Sequence, residues 1–151
     1  MMNYILQFLV SMVATMAFAV VFSAPKKDLI FCGISGGLGW IFYLLTSSLG
    51  GGPTLGNVIG SLILTIFSRA LAVARKKPVT LYLITGILPL VPGAGIYYTS
   101  YYLIMNDMTS FSSYGLSTIK TAGAIVMGIL LGMALPQQLF NKLFGPFGRR
   151  S

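Results

Sequence analysis

The residues best suited to chemistry form one short run, Leu88–Gly95, inside an apolar stretch from Val79 to Met105. The run contains two prolines and three small residues, Pro89, Pro92, Gly93, Ala94 and Gly95. Each proline removes a backbone N–H and crowds the carbonyl one turn earlier, and the glycines tolerate angles that other residues resist. The helix is therefore predicted to unwind at Pro92–Gly93 and to restart near Ala94. Its first free N–H groups would favour an anionic group such as a carboxylate.

Two interpretations of this break remain open. Unwound backbone at membrane depth survives only where it is packed in protein or lines a polar cavity. Broken helices of this kind form substrate or ion sites in secondary transporters. The alternative is a proline kink that only helps helices to pack. The concentration of prolines and glycines in the run favours a site.

Polar side chains outside the run are candidates to complete such a site, namely Asn57 and Arg69 in an earlier apolar segment and Tyr97 in the same one. Tyr97 follows the break by one turn, where its phenol could donate to a polar ligand. Arg69 lies six residues before Arg75. It either snorkels to the basic rim or faces the interior and holds a carboxylate.

Composition places the chain in a bilayer. Of its 151 residues, 56% are hydrophobic and only 8% are charged, against about 25% charged in typical soluble domains. The formal charge of +8 could indicate nucleic-acid binding. However, most cations flank apolar runs, where topology signals lie. They are Lys26, Lys27, Arg75, Lys76, Lys77, Lys142, Arg149 and Arg150.

The inventory of reactive residues argues against an enzyme and against a metal or cofactor site. The chain has no histidine, one cysteine (Cys32) and two acids, Asp28 and Asp107. Both acids fall in turns, where a solvated carboxylate is expected. If transport is proton-coupled, the titrating group is therefore expected to come from a partner.

The apolar segments predict an all-α integral membrane protein with five transmembrane spans, at about residues 3–22, 29–48, 54–74, 79–105 and 117–135. The fourth span is the broken one, and a polar loop is predicted at 106–116. Residues 1–136 are predicted to form one bundle, and residues 137–151 a basic amphipathic cytoplasmic tail. Because turns that carry cations alternate with turns that carry none, all the cation clusters fall on one side, and the N-terminus is predicted outside and the C-terminus inside.

Pairs of glycines four residues apart predict faces where helices approach closely. They are Gly33 with Gly37, Gly56 with Gly60, and Gly128 with Gly132. These faces could serve packing within the chain or association with another membrane chain.

The run Ile87–Tyr98 resembles the proline-glycine signature of the threonine/serine exporter (ThrE-type) family, in its C-terminal membrane half. The basic turn ending in Pro78, the Asn106-Asp107 loop and the glycine-rich last segment fit the same pattern. Arg69 departs from it, since a neutral or acidic residue is expected there.

The resemblance implies export of threonine, serine or related small carboxylates across the cell membrane. It also implies a larger partner subunit, corresponding to the N-terminal half of fused members; a homo-oligomer is the other association considered. The alternative is a non-transporting membrane scaffold, in which the break is only a kink and the glycine faces serve association.

Overall fold

The computed structural model describes residues 4–144, which are helical apart from short turns and contain no strand. The α-helices are α1 (Tyr4–Val21), α2 (Leu29–Thr46), α3 (Gly52–Arg75), α4 (Val79–Ile87), α5 (Gly93–Ile104), α6 (Met108–Ala134) and α7 (Gln137–Phe144). A π-helical turn, Ser47–Gly51, precedes α3, and a 3-10 turn, Leu88–Leu90, follows α4. The all-α prediction is therefore confirmed for the described part of the chain.

Three helical runs are long and apolar enough to cross a membrane by themselves, Tyr4–Val21, Leu29–Arg75 and Met108–Ala134. The pieces Val79–Leu90 and Gly93–Ile104, bent by 55° at their junction, supply a fourth candidate if they form one span.

The 47-residue run Leu29–Arg75 is a hairpin of α2 and α3. Gly50 and Gly52 have φ angles of 92° and 69°, which glycine adopts without steric cost. They reverse the chain, so that α3 returns along α2. The helices touch at Gly39 and Gly60, where a Cβ on Gly60 would lie 2.7 Å from the Gly39 carbonyl oxygen.

Helix α6 runs parallel to α3. Gly128 lies against Ser61, and one turn further Gly132 lies against Thr65. Gly33 and Gly37 pack in turn on side chains of α1. All three glycine pairs are thus occupied by contacts within the chain.

Helix α6 begins at Met108, so the predicted loop at 106–116 is wrong for most of its length. The Asp107 carboxylate accepts a hydrogen bond from the Ser110 N–H (3.1 Å) and caps the helix. Hydrogen bonding from Ser110 also holds the pKa of the Asp107 carboxyl below its ordinary value. The added turns of α6 pack on α5, where Gly115 faces Thr99.

The cation-bearing turns meet at one end of the bundle, where Asp28 is buried rather than solvated. Its carboxylate pairs with the Arg75 guanidinium and accepts a hydrogen bond from the Tyr82 hydroxyl (2.9 Å). Only 1% of Asp28 is exposed. The expectation of a solvated carboxylate is wrong because α3 and α4 bring two donors over this turn.

Helix α7 covers the same end of the bundle. Phe140 is buried beneath Arg69, with 4.5 Å between the guanidinium carbon and the ring centre, while Lys142 is exposed. The predicted tail at 137–151 is helical as far as Phe144. Its remainder, 145–151, lies outside the described residues.

Candidate functional site: the break between α4 and α5

The break is wider than predicted. Helix α4 ends at Ile87, Leu88–Leu90 form a 3-10 turn, and α5 starts at Gly93. The predicted start of unwinding, at Pro92, is too late because Pro89 cannot donate to the carbonyl one turn before it. Pro92 itself has a ψ of 59°, outside the helical range.

The break leaves two backbone donors unpaired at the start of α5. The first hydrogen bond of the helix joins the Ile96 N–H to the Pro92 carbonyl (3.0 Å), and the Gly93 N–H is bonded to the carbonyl two residues earlier (2.8 Å). The N–H groups of Ala94 and Gly95 have no backbone partner between residues 4 and 144. They lie at the positive end of the helix dipole, where a carboxylate is favoured.

A cavity of about 460 Å³ adjoins these amides. It is lined by Trp40, Tyr43, Pro53, Asn57, Pro89–Gly95, Tyr98, Tyr114, Ser117, Thr118 and Thr121. The cavity thus brings together six of the site residues selected from the sequence, which are Asn57, Pro89, Pro92, Gly93, Ala94 and Gly95. No lining residue is charged.

Asn57 supplies a buried amide to the α3 wall of the cavity. Its side chain is 4% exposed, and Nδ2 donates to the Pro53 carbonyl (2.8 Å). This bond orients the amide, leaving Oδ1 as an acceptor suited to an ammonium or hydroxyl group.

Helix α6 contributes hydroxyl groups opposite the amides. Thr118 Oγ1 donates to the Tyr114 carbonyl (2.7 Å), so its oxygen remains available as an acceptor. A Cβ on Gly95 would lie 2.4 Å from Thr118 Oγ1. Glycine at position 95 therefore allows the start of α5 to approach α6.

Aromatic rings form two other parts of the wall. The Trp40 and Tyr43 rings of α2 have centroids 5.1 Å apart, and those of Tyr98 and Tyr114 are 5.3 Å apart. The faces of such rings attract a cation when one is held close to them.

Tyr97 does not line the cavity. It is 62% exposed and stacks on Tyr101, with 6.3 Å between ring centroids. Since successive residues point in directions about 100° apart on a helix, Tyr98 takes the place foreseen for Tyr97.

Arg69 also lies away from the cavity, about 18 Å from Asn57 along α3. It is 6% exposed and neither snorkels nor faces the cavity. The guanidinium donates to the carbonyls of Gly132 (2.8 Å), Met133 (3.0 Å) and Leu135 (2.7 Å), and to Gln137 Oε1 (2.7 Å). It therefore caps the end of α6, where a cation is favoured by the helix dipole.

The sequence alone does not identify the residues of α2 and α6 that line the cavity. Trp40 and Tyr43 look like ordinary membrane aromatics, and only tertiary packing places them opposite the break. One signal was present in α6, where the hydroxyl-bearing residues Ser117, Thr118 and Thr121 fall on one helix face.

Residues 7–135 match the family model described as "Threonine/Serine exporter, ThrE". The match confirms the resemblance carried by the run Ile87–Tyr98. No solved structure matches the chain.

Proposed function

Because the chain belongs to the threonine/serine exporter (ThrE) family, we propose that it exports threonine, serine or a related small carboxylate across the cell membrane. The substrate site is the cavity beside the α4–α5 break. One observation carries this proposal: the unpaired N–H groups of Ala94 and Gly95 adjoin a cavity without a charged lining residue.

The cavity suits a small zwitterion. The carboxylate would accept hydrogen bonds from the Ala94 and Gly95 amides, as at other helix N-termini. The ammonium would meet Asn57 Oδ1 and an aromatic face, and the substrate hydroxyl would meet Thr118 or Thr121. A dicarboxylate would bring a second negative charge without a cation in the lining to compensate it. We therefore place serine and threonine ahead of dicarboxylates.

The topology we propose has five spans, with the N-terminus outside and α7 on the cytoplasmic surface. The α2–α3 hairpin supports counting two spans in Leu29–Arg75, and the parallel course of α3 and α6 supports a full crossing by α4 with α5. The grouping of the cation-bearing turns at one end supports a cytoplasmic assignment for that end.

We further propose that a second membrane chain, a larger subunit of the same family or another copy, completes the pathway. Helix α5 packs on α6, and none of its residues is buried. Lipid cannot satisfy the polar groups of the break, so the open side of the cavity needs protein or water beside it. The scaffold alternative is less well supported, because it assigned the glycine pairs to association with other chains and they pack against helices of the same chain.

The test is efflux of preloaded threonine from cells that produce the full chain with its native membrane partners. Pro92→Ala with Gly93→Ala favours a continuous helix, in which the Ala94 and Gly95 amides would bond to Leu90 and Val91. Losing two hydrogen bonds to a charged group predicts a roughly tenfold or greater fall in efflux.

Pro25→Ala with Gly123→Ala is the matched control. It makes the same pair of changes away from the cavity, and a Cβ on Gly123 meets nothing within 4 Å. Normal efflux from a fully inserted Pro92/Gly93 variant would overturn the site and leave the break as a kink.

A further inference from the structure

A groove of about 250 Å³ lies on the outside of the bundle, between the end of α1 and the first turns of α4. Its lining consists of Phe22, Pro78, Thr80, Leu81, Ile84 and Thr85, none of which is charged. Phe22 is 53% exposed and Ile84 is 49% exposed, so the groove is open to the surroundings of the bundle. On the surface of two apolar helices, such a groove suits an acyl chain.

Two turns that carry lysines flank one end of this groove. Phe22 leads into the first turn, and Pro78 ends the second. The two turns touch each other, because the Arg75 guanidinium donates to the Lys27 carbonyl (3.3 Å). Four exposed lysines therefore gather beside the groove, and we refer to them as the lysine cluster. They are Lys26, Lys27, Lys76 and Lys77.

No acidic side chain is left to balance the lysine cluster. The chain contains two acids, Asp28 and Asp107. Asp28 pairs with Arg75, which is the only ion pair in the part of the chain that the structure describes. Asp107 caps the opposite end of α6, and the 27 residues of that helix extend about 40 Å. Four positive charges beside an apolar groove complement a molecule with an anionic head and an apolar tail.

We propose that the groove is a binding site for an anionic phospholipid. The acyl chain lies along α4, on Leu81 and Ile84, and the phosphate meets the lysine cluster. The exposed hydroxyl of Thr80 lies between these two parts of the site and can donate to the phosphate. Positive charge alone attracts anionic lipid to any basic membrane surface. The groove is what confines one lipid to one place, and the proposal does not depend on the transport function.

The experiment compares two lipids with the same acyl chains, phosphatidylglycerol and phosphatidylcholine, added to the full chain in a neutral detergent. Native mass spectrometry counts the bound lipids, and the melting temperature is followed against lipid concentration. One phosphatidylglycerol should bind in preference to phosphatidylcholine and raise the melting temperature. Glycerol 3-phosphate, which has the phosphate without the tail, should leave the melting temperature unchanged.

The lysine cluster is tested with Lys77→Gln, since Lys77 directly precedes the groove residue Pro78. Each lysine near an anionic headgroup strengthens binding about fivefold, so the variant should need roughly five times more phosphatidylglycerol for the same shift. Lys120→Gln is the matched control, because it removes the same charge from an exposed position of α6 away from the groove. Its lipid dependence should match that of the parent.

The groove is tested with Ile84→Trp, which fills it without changing the charge. The variant should lose the preferential phosphatidylglycerol. Ile30→Trp is its matched control, since Ile30 is 50% exposed near the same end of α2 but does not line the groove. Thr80→Trp, at an exposed position in the first turn of α4, blocks the same groove if Ile84→Trp does not fold.

Equal binding of the two lipids by the parent chain would overturn the proposal. A preference for phosphatidylglycerol that survives in both Ile84→Trp and Thr80→Trp would also overturn it, and would leave only a general attraction of anionic lipid to the basic end of the bundle. An equal shift with glycerol 3-phosphate would show that the phosphate alone binds and that the groove holds no tail.

Discussion

Asp28 and Arg75, 47 residues apart in the chain, form an ion pair that ties the α1–α2 turn to the end of α3. The two partners differ in environment, since the Asp28 side chain is 2% exposed and that of Arg75 is 30% exposed. The Tyr82 hydroxyl adds α4 to the same carboxylate. One buried charge thus joins three helical elements at the basic end of the bundle.

This difference in exposure predicts that removing Arg75 and removing Asp28 lower the stability of the fold by different amounts. Arg75→Met leaves a buried carboxylate without its counter-charge and should lower the free energy of unfolding by about 3 kcal/mol, the low end of the range for such pairs because Arg75 is partly solvated. Asp28→Asn leaves Arg75 partly solvated and should cost roughly 1 kcal/mol. Thermal unfolding in detergent measures both, with Lys76→Met, at an exposed neighbouring position, as the control. Equal losses in the two variants would contradict the prediction.

Arg69 is expected to hold the end of α6 and the start of α7. Arg69→Met removes the donors to two α6 carbonyls, to the Leu135 carbonyl that follows the helix, and to Gln137. Amide hydrogen exchange over residues 130–144 should therefore rise about tenfold or more. The exchange rate in Arg69→Lys should lie between those of the parent and Arg69→Met, because an ammonium cannot reproduce the planar guanidinium fork. Exchange near Asn57 serves as the internal reference. If Arg69→Met exchanges like the parent at residues 130–144, the capping role is refuted.

The contact between α3 and α6 predicts opposite outcomes for two glycines of the same helix. A Cβ on Gly128 would lie 1.9 Å from Ser61 Oγ and 2.4 Å from the Val58 carbonyl oxygen. Because the carbonyl cannot rotate away, Gly128→Ala should cost about 1–3 kcal/mol.

Gly123→Ala is the matched variant in α6, since a Cβ at this position would have no atom within 4 Å. It should be neutral or stabilising by up to about 1 kcal/mol, through helix propensity. Thermal unfolding of the two variants side by side checks the pair. Similar melting temperatures would show that α6 does not pack on α3 through Gly128.

The proposed orientation predicts where introduced thiols react on intact cells. With Cys32→Ala as background, Asn106→Cys should react with an impermeant reagent and Lys76→Cys should react only after the membrane is opened. Both residues are exposed and lie in turns at opposite ends of the bundle. The reverse pattern would invert the topology while leaving the helix packing unchanged.

Local chemistry was sufficient to predict several features of this protein. Hydropathy and the sparse charge identified a helical membrane protein, since such segments need water-free surroundings. The prolines and glycines of the run Leu88–Gly95 marked the break, because their backbone restrictions act over one turn. The same run carried the family resemblance.

The tertiary structure decided which side chains meet at that break. Trp40, Asn57 and Thr118 belong to three different helices, and no spacing in the sequence relates them. The orientation of α5 also places Tyr98 rather than Tyr97 in the cavity wall, because a shift of one residue turns a side chain by about 100°.

The roles of the buried charges likewise depended on distant partners. Asp28 was predicted to be solvated, and Arg69 either to snorkel to the basic rim or to hold a carboxylate, since each was judged by its own segment. Packing brought Tyr82 and Arg75 to Asp28, and the end of α6 to Arg69. Charges are stabilised by whatever lies within a few ångströms, and in a folded chain those groups come from residues tens of positions away.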